Sequence, residues 1–337
     1  MKEKIRKGEK SASILDAKDK KILKALFDDA RASISSIAKK ARLSKEVANY
    51  RIKRLMAQQL LAGFNTVMDI KKIGWEMFFV CIRLRNIDIA KENEILGFLK
   101  GHANIAQLFK CIGNYDIIIK VFVKQYEDID EVVKSIEEKY KENIESCFID
   151  YIIEESAVPF SFLYRAKNQK LYYMKASDKE KSMLSKLDKN LLKSVSKNAR
   201  VSLADLSKNL KISRDNAKYH LKKLESKKII LKYRPDILTK TIGYNWYFLM
   251  LKVGKLASEI KKTLEAYLLN QENVTYFYRT IGASDIQVEL RVKTTEEVNA
   301  ILMQVRTILK TVLKRHEMLV ILDELKYTYF PDCLMEN

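Results

Sequence analysis

Two thirteen-residue stretches carry most of the chemistry in this chain: LSKEVANYRIKRL (Leu43–Leu55) and ISRDNAKYHLKKL (Ile212–Leu224). In the first, Ala48, Ile52 and Leu55 fall at i, i+4 and i+7, which is one buried stripe of a helix. Lys45, Glu46, Asn49, Tyr50, Lys53 and Arg54 project elsewhere, with Arg51 beside them. The second stretch offers Arg214, Asp215, Lys218, Tyr219, Lys222 and Lys223, with His220 in the place of Arg51. Ser44 and Ser213 precede the runs as N-caps, each hydroxyl able to accept from an otherwise orphan N–H. An amide, phenols and basic groups on one helix suit the edges and phosphates of a DNA duplex. Asn49 matches adenine bidentately, Arg214 matches guanine, and Lys53, Arg54, Lys222 and Lys223 suit phosphates. A merely solvated helix face has the same look, so the rest of the chain must decide.

The 337 residues are 47% hydrophobic, a globular composition long enough for two or more domains, and carry a net charge of +20. Such an excess points to a polyanionic partner, either nucleic acid or an acidic membrane face. No apolar run approaches a membrane span, and the opening MKEKIRKGEKSAS is too polar for a signal peptide. It is expected to be a disordered basic arm of a cytoplasmic, nucleoid-associated protein. Cys81, Cys111, Cys147 and Cys333 lie far apart with no C-x-x-C pair, so they read as reduced thiols, and no metal or cofactor is expected. His102, His220 and His316 are scattered, and neither a nucleophilic triad nor a Gly-rich phosphate loop emerges.

The chain is written twice. Arg31 and Arg200 are 169 residues apart, and the same offset pairs Asp19 with Asp188, Ser44 with Ser213, Tyr50 with Tyr219 and Gly74 with Gly243. Far downstream it still matches IGNYDIIIKVFV (from Ile112) to IGASDIQVELRV (from Ile281). Charge follows the repeat. Residues 1–74 have a net charge of +11 and 166–243 of +14, whereas 75–165 have −5 and 244–337 have 0. The whole positive excess therefore lies with the two stretches described first, which favours DNA over a bland solvated face.

Each basic part reads as a helix, a short helix, a tight turn, the basic helix and a strand (Leu60–Asp69 and Ile229–Leu238), a helix-turn-helix whose strand could act as a wing. Each remaining part reads βαββαβ, ending in strands Glu145–Ile153 and Met318–Leu325. The expected fold class is α+β, with two winged helix-turn-helix domains (15–74 and 178–243) and two ferredoxin-like domains (75–165 and 244–337). Residues 1–14 form the arm and 166–177 a linker. The uncovered face of each sheet needs a cover, and the obvious one is the sister sheet. Arg31 and Arg200 suit either phosphate contact or, for Arg31, an ion pair with Asp28 or Asp29. Gly113 and Gly282 suit tight turns that Asp116 and Asp285 could cap.

LDAKDKKIL…DAR (Leu15–Arg31), LS…RIKRL, GF…MDIKKIG (Gly63–Gly74), IGNYD and IGASD together resemble the Lrp/AsnC family of prokaryotic transcription regulators, twice over. The resemblance implies double-stranded DNA as partner, pairing through the effector domains (here an intrachain pseudo-dimer), further homo-oligomerisation and, for many members, an amino-acid effector near the domain interface. Gly113, Asp116, Gly282 and Asp285 are the residues it brings forward for that effector. Ser44, Lys45, Glu46, Asn49, Tyr50, Arg51, Lys53 and Arg54, with Ser213, Arg214, Asp215, Lys218, Tyr219, His220, Lys222 and Lys223, are the expected DNA-binding set. One departure stands out: the family's usual double arginine in this helix appears as Tyr50–Arg51 and Tyr219–His220. The tyrosines suit phosphate, a thymine methyl, or packing on the wing. A nucleoid-architectural protein is the alternative reading. A siroheme-decarboxylase-like enzyme ranks below it, because the His/Tyr-Asn pattern of those enzymes is replaced here by IGNYDIIIK and IGASDIQVE.

Overall fold

The computed structural model describes residues 15–158, 160–164, 172–175 and 181–335. The expected arm 1–14 and most of the expected linker lie outside the described residues. The first half runs α1 (Ala17–Asp28), α2 (Ile34–Ala41), α3 (Lys45–Ala57), β1 (Leu61–Met68), β2 (Glu76–Leu84), α4 (Ile89–Gly101), β3 (Ile105–Ile112), β4 (Ile117–Val123), α5 (Asp128–Lys139) and β5 (Ile144–Ala157). A helical turn α6 (Ser161–Tyr164) and a short strand β6 (Tyr172–Lys175) follow, so part of the expected linker is a strand paired to β5. The second half repeats the order as α7 (Lys186–Lys197), α8 (Leu203–Leu210), α9 (Arg214–Ser226), β7 (Ile230–Ile237), β8 (Asn245–Val253), α10 (Ser258–Asn270), β9 (Val274–Gly282), β10 (Ile286–Val292), α11 (Thr295–Leu309) and β11 (Leu313–Tyr327).

The two ferredoxin-like sheets join. The strand order is β2-β4-β3-β11-β8-β10-β9-β5, and β5 also pairs with β2, so eight strands close on themselves. All of these pairings are antiparallel. The closing strands run longer than their apolar pattern suggested, because each serves two sheets. The early part of β5 pairs with β2 (Leu84↔Ile144 to Phe78↔Tyr151) and its end with β9 of the other half (Asp150↔Gly282 to Ala157↔Tyr276). β11 does the same between β8 and β3. Outside the closed ring, β6 adds an edge strand beside the end of β5.

β2 shows why the sequence reads as a continuous apolar run. Val80 and Ile82 pack outward with Ile95 and Leu99 of α4 and Ile136 of α5, while Phe79 and Cys81 face inward. The second half builds the same outer layer from Leu249, Leu251, Leu264, Leu268 and Val305. Between the sheets, Phe79 meets Phe248 and Tyr278 with ring centroids 5.5 and 4.9 Å apart, and Phe109 meets Trp246 at 5.1 Å. The sister sheet is indeed the cover.

The strands after each helix-turn-helix behave differently from a free wing. β1 and β7 pair with each other, antiparallel, from Leu61↔Ile237 to Met68↔Ile230. α1 packs against β7 and α7 against β1, so each helical unit rests on a strand from the other half. Arg31 and Arg200 complete this exchange. Arg31 donates from Nη1 to the Ala199 carbonyl and stacks over Tyr233 at 5.2 Å; Arg200 donates to the Ala30 carbonyl and stacks over Phe64 at 5.1 Å. Their guanidinium groups are thus committed to the seam between the halves, which corrects the phosphate role considered for them.

Candidate nucleic-acid interface

The basic helices are set up by serine caps. Ser44 accepts from the Val47 N–H at 3.2 Å and Ser213 from Asn216 at 3.1 Å, closing α3 and α9 at their N-termini. Such caps contribute about 1 kcal/mol each. The tight turns before them are made by Arg42 and Lys211, both in the left-handed conformation at φ 57° and 54°. Ala48, Ile52 and Leu55, and in the second unit Ala217, Leu221 and Leu224, are buried as the spacing required.

Among the expected site residues, Ser44, Lys45, Glu46, Asn49, Tyr50 and Lys53 are exposed in α3 and its cap, as are Ser213, Arg214, Asp215, Lys218, Tyr219 and Lys222 in and before α9. The tyrosines are bare for so large a side chain: Tyr50 is 66% exposed and Tyr219 64%. Neither packs on a wing. The remaining four residues turn toward a carboxylate that sequence reasoning had not singled out for function. Asp19, 0% exposed, accepts from Arg51 Nη1 at 2.9 Å and Arg54 Nη2 at 2.5 Å. In the second unit Asp188 meets His220 Nδ1 at 2.7 Å and Lys223 Nζ at 3.3 Å. Arg51 and His220 are therefore drawn off the open face into a brace between the first and third helices. The signal was in the repeat, since the Asp, the residue at 51/220 and the base at 54/223 recur in one register.

Each Asp also serves as the third residue of its own helix and completes a capping box with Asp16 or Ser185. Burial raises the pKa of Asp188, but hydrogen bonds from His220 and Ser185 outweigh it and hold the group below its usual value.

The hairpins bearing the other expected residues flank a small pocket lined by Tyr115, Lys252, Ala283 and Ser284. Asp116 accepts from the Leu84 N–H at 2.7 Å, and Asp285 accepts from Val253 N–H at 2.8 Å and Lys252 Nζ at 3.0 Å. Gly113 and Gly282 have φ of +145° and +149°. A Cβ on Gly113 would lie 2.5 Å from Leu319 Cδ2, and one on Gly282 would strike the Ile149 carbonyl and Asp150. The two glycines seat each hairpin against the closing strand of the sister sheet, while Asp116 and Asp285 tie it to β2 and β8 of its own half. At the second hairpin the buried Asp150 takes bonds from Ser284 N and Oγ at 3.0 and 2.9 Å and Gln287 Nε2 at 2.6 Å. At the first, Tyr115 is buried beside Phe148 at 5.5 Å. The two hairpins are not equivalent. Among the described residues, no cluster of three or more His, Cys, Asp or Glu could hold a metal, and no helix is long and apolar enough to cross a membrane.

Two helix-turn-helix units on a ribbon, above two sheets joined into one closed ring, define a tandem regulator-type architecture. Residues 15–56 match the AsnC-type helix-turn-helix domain, and 184–230 match a winged helix-turn-helix DNA-binding domain. The transcriptional regulator Ptr1 of Methanocaldococcus jannaschii is 30% identical over 142 residues, spanning 42% of this chain and 93% of Ptr1. The regulator FL11 of Pyrococcus horikoshii is 26% identical over 123 residues, 36% of this chain and 80% of its own length. The chain belongs to the Lrp/AsnC family, as a tandem duplication of that family's unit. The siroheme decarboxylase NirDL superposes over 94% of both chains with a TM-score of 0.63 at 12% identity, a likeness of fold alone.

Proposed function

We propose that this chain is a sequence-specific DNA-binding transcription regulator that works as a dimer within one polypeptide, without enzymatic activity. The observation that carries this reading is the pair of exposed faces on α3 and α9, each presenting a tyrosine, an amide or amine and basic groups on an unusually positive segment. Lys45, Asn49 and Tyr50 read bases in one half-site, and Arg214, Lys218 and Tyr219 in the other, while Lys53 and Lys222 hold phosphates. Ser44 and Ser213 bring helix N-termini toward the backbone, and Glu46 and Asp215 discriminate among bases. Arg54 and Lys223, side chains 31% and 34% exposed, reach phosphates from the edge of the brace. An amino acid or other small effector, and assembly of several chains, belong to the same proposal.

Selection of bound sites from random DNA tests it: one recurring site with a discrete footprint is expected. A steep salt dependence with no preference among sequences would instead indicate nucleoid architecture. Turnover of a tetrapyrrole by the purified chain would overturn the non-enzymatic part.

A further inference from the structure

A cavity of about 480 Å³ opens where the ribbon meets the closed sheets, bounded by β7 and the segment after it, by β8, β10 and β11, and by β3 of the first half. That volume lies within the range of small-molecule sites, about 300–1,000 Å³. Its wall holds two guanidinium groups in unusual settings. Arg234, 9% exposed, sits among the rings of Phe160, Tyr276, Tyr327 and Tyr329 at 5.2–6.0 Å and donates to the Tyr327 hydroxyl. It has no ion pair among the described residues. Arg291, 6% exposed, stacks on Trp246 at 3.3 Å; its nearest acid, Glu289, is 3.8 Å away and already bonded to the Tyr278 hydroxyl, and the Glu324 carboxyl acts on it from farther off. Arg234 Nε, Arg291 Nη1 and Trp246 Nε1 find no hydrogen-bond acceptor, and Gln107 Oε1 finds no donor. Buried cations left this incompletely paired are costly in a folded chain.

The repeat shows that the fold does not require them. One repeat earlier, Arg234 and Arg291 correspond to Asn65 and Phe122, and Trp246 to Met77. There Lys71, the counterpart of Lys240, turns inward and donates to the Ile152 carbonyl at 2.6 Å and the Tyr151 hydroxyl at 3.2 Å. Lys120, the counterpart of Glu289, is paired with the buried Glu155. The first repeat pairs its corresponding buried lysines; the second leaves a cavity in which the donors of Arg234, Arg291 and Trp246 stand beside the carboxyl groups of Asp236, Glu289, Asp323 and Glu324.

We propose that this cavity binds a small organic monocarboxylate with a flat, largely apolar body, its carboxylate drawn to the guanidinium groups of Arg291 and Arg234. Planar guanidinium groups suit a carboxylate, and the aromatic wall suits a flat body. Asp236 and Glu289 on the same wall disfavour a doubly charged phosphate. Gln107 Oε1 is placed for a hydroxyl on the ligand. The site is distinct from the hairpins of Gly113 and Gly282, and its occupancy does not depend on the chain acting on DNA.

Calorimetric titration of the DNA-free full chain with 4-hydroxyphenylacetate and indole-3-acetate tests the assignment, with tyramine, phenyl phosphate and L-tyrosine as matched probes. At least one of the two acids is expected to bind about tenfold or more tightly than each matched probe. Arg291→Phe, which copies the first repeat, and Leu322→Trp, which fills the cavity and keeps both arginines, should each weaken binding about ten- to hundredfold. Trp246 fluorescence in a Trp75→Phe background reports the same event independently. Absence of binding by both acids at millimolar concentration, equal binding of tyramine, phenyl phosphate or L-tyrosine, or unchanged affinity in both variants would overturn the proposal.

Discussion

Asp19 and Asp188 show how one residue type does unequal work in two copies. Asp19 holds two guanidinium groups, whereas Asp188 holds an imidazole and an ammonium. Replacing Asp19 with Ala leaves Arg51 with Asp16 as its one remaining acid partner and takes the carboxylate from Arg54, and should cost about 3 kcal/mol, against about 2 kcal/mol for Asp188→Ala. Urea denaturation of the two variants would resolve the order, and equal losses would contradict it. The pH dependence has a definite sign. Because the folded-state pKa of Asp188 is depressed, its contribution is present above the unfolded value near 3.8 and is lost as pH falls through the folded value. The melting temperatures of the parent chain and Asp188→Asn should therefore differ at neutral pH and converge as pH falls below the unfolded value of 3.8. The exposed tyrosines belong to another kind of residue: both stand open to solvent, Tyr219 with the edge of the His220 ring 5.4 Å away. Tyr50→Ala should reduce affinity for a selected DNA site about tenfold. If Tyr50→Phe keeps full affinity, the ring reads the site; if it loses as much, the hydroxyl does.

At the scale of elements, a glycine marks the seam where each hairpin meets the sister sheet, and the two contacts differ. A methyl group on Gly113 would meet the end of a flexible leucine, but on Gly282 it would meet backbone and a buried carboxylate. Both substitutions are strained at φ near +147°. Gly282→Ala should thus cost about 3 kcal/mol and Gly113→Ala about half of that, measured by thermal unfolding. Much of this architecture could be read in advance, because periodicity is local. The helix-turn-helix units, the βαββαβ order and the duplication all follow from spacing of apolar residues and one offset. Pairing between halves could not be read the same way. β1 looked like a wing because a strand's own sequence carries its alternation but not its partner. Arg31 looked ready for phosphate because nothing nearby in sequence announces the Ala199 carbonyl. The exposed faces of α3 and α9 were legible, whereas the inward turn of Arg51 and His220 needed Asp19 and Asp188 to be seen folded beneath them. The open cavity had no sequence signature at all; only the mismatch of Arg291 with Phe122 hinted that the copies had diverged there.

The whole molecule differs from two identical subunits in one respect that matters for DNA. A symmetric pair must present the same face twice, but here one half offers Lys45, Glu46 and Asn49 and the other Arg214, Asp215 and Lys218. The backbone frame remains paired across the ribbon and the closed ring, so the two faces are held in a fixed relation while their readout differs. A regulator built this way should prefer a site whose halves are related in spacing but not in sequence, and should bind it in one orientation. Exchanging Lys45, Glu46 and Asn49 with Arg214, Asp215 and Lys218 keeps total charge and composition unchanged. The expected outcome is a chain that binds the inverted site as tightly as the parent chain binds the original, and the original about tenfold more weakly. Competition between the two orientations of one labelled duplex measures this directly. A perfectly palindromic selected site, or indifference of the exchanged chain to orientation, would mean that contacts outside these six positions set the specificity.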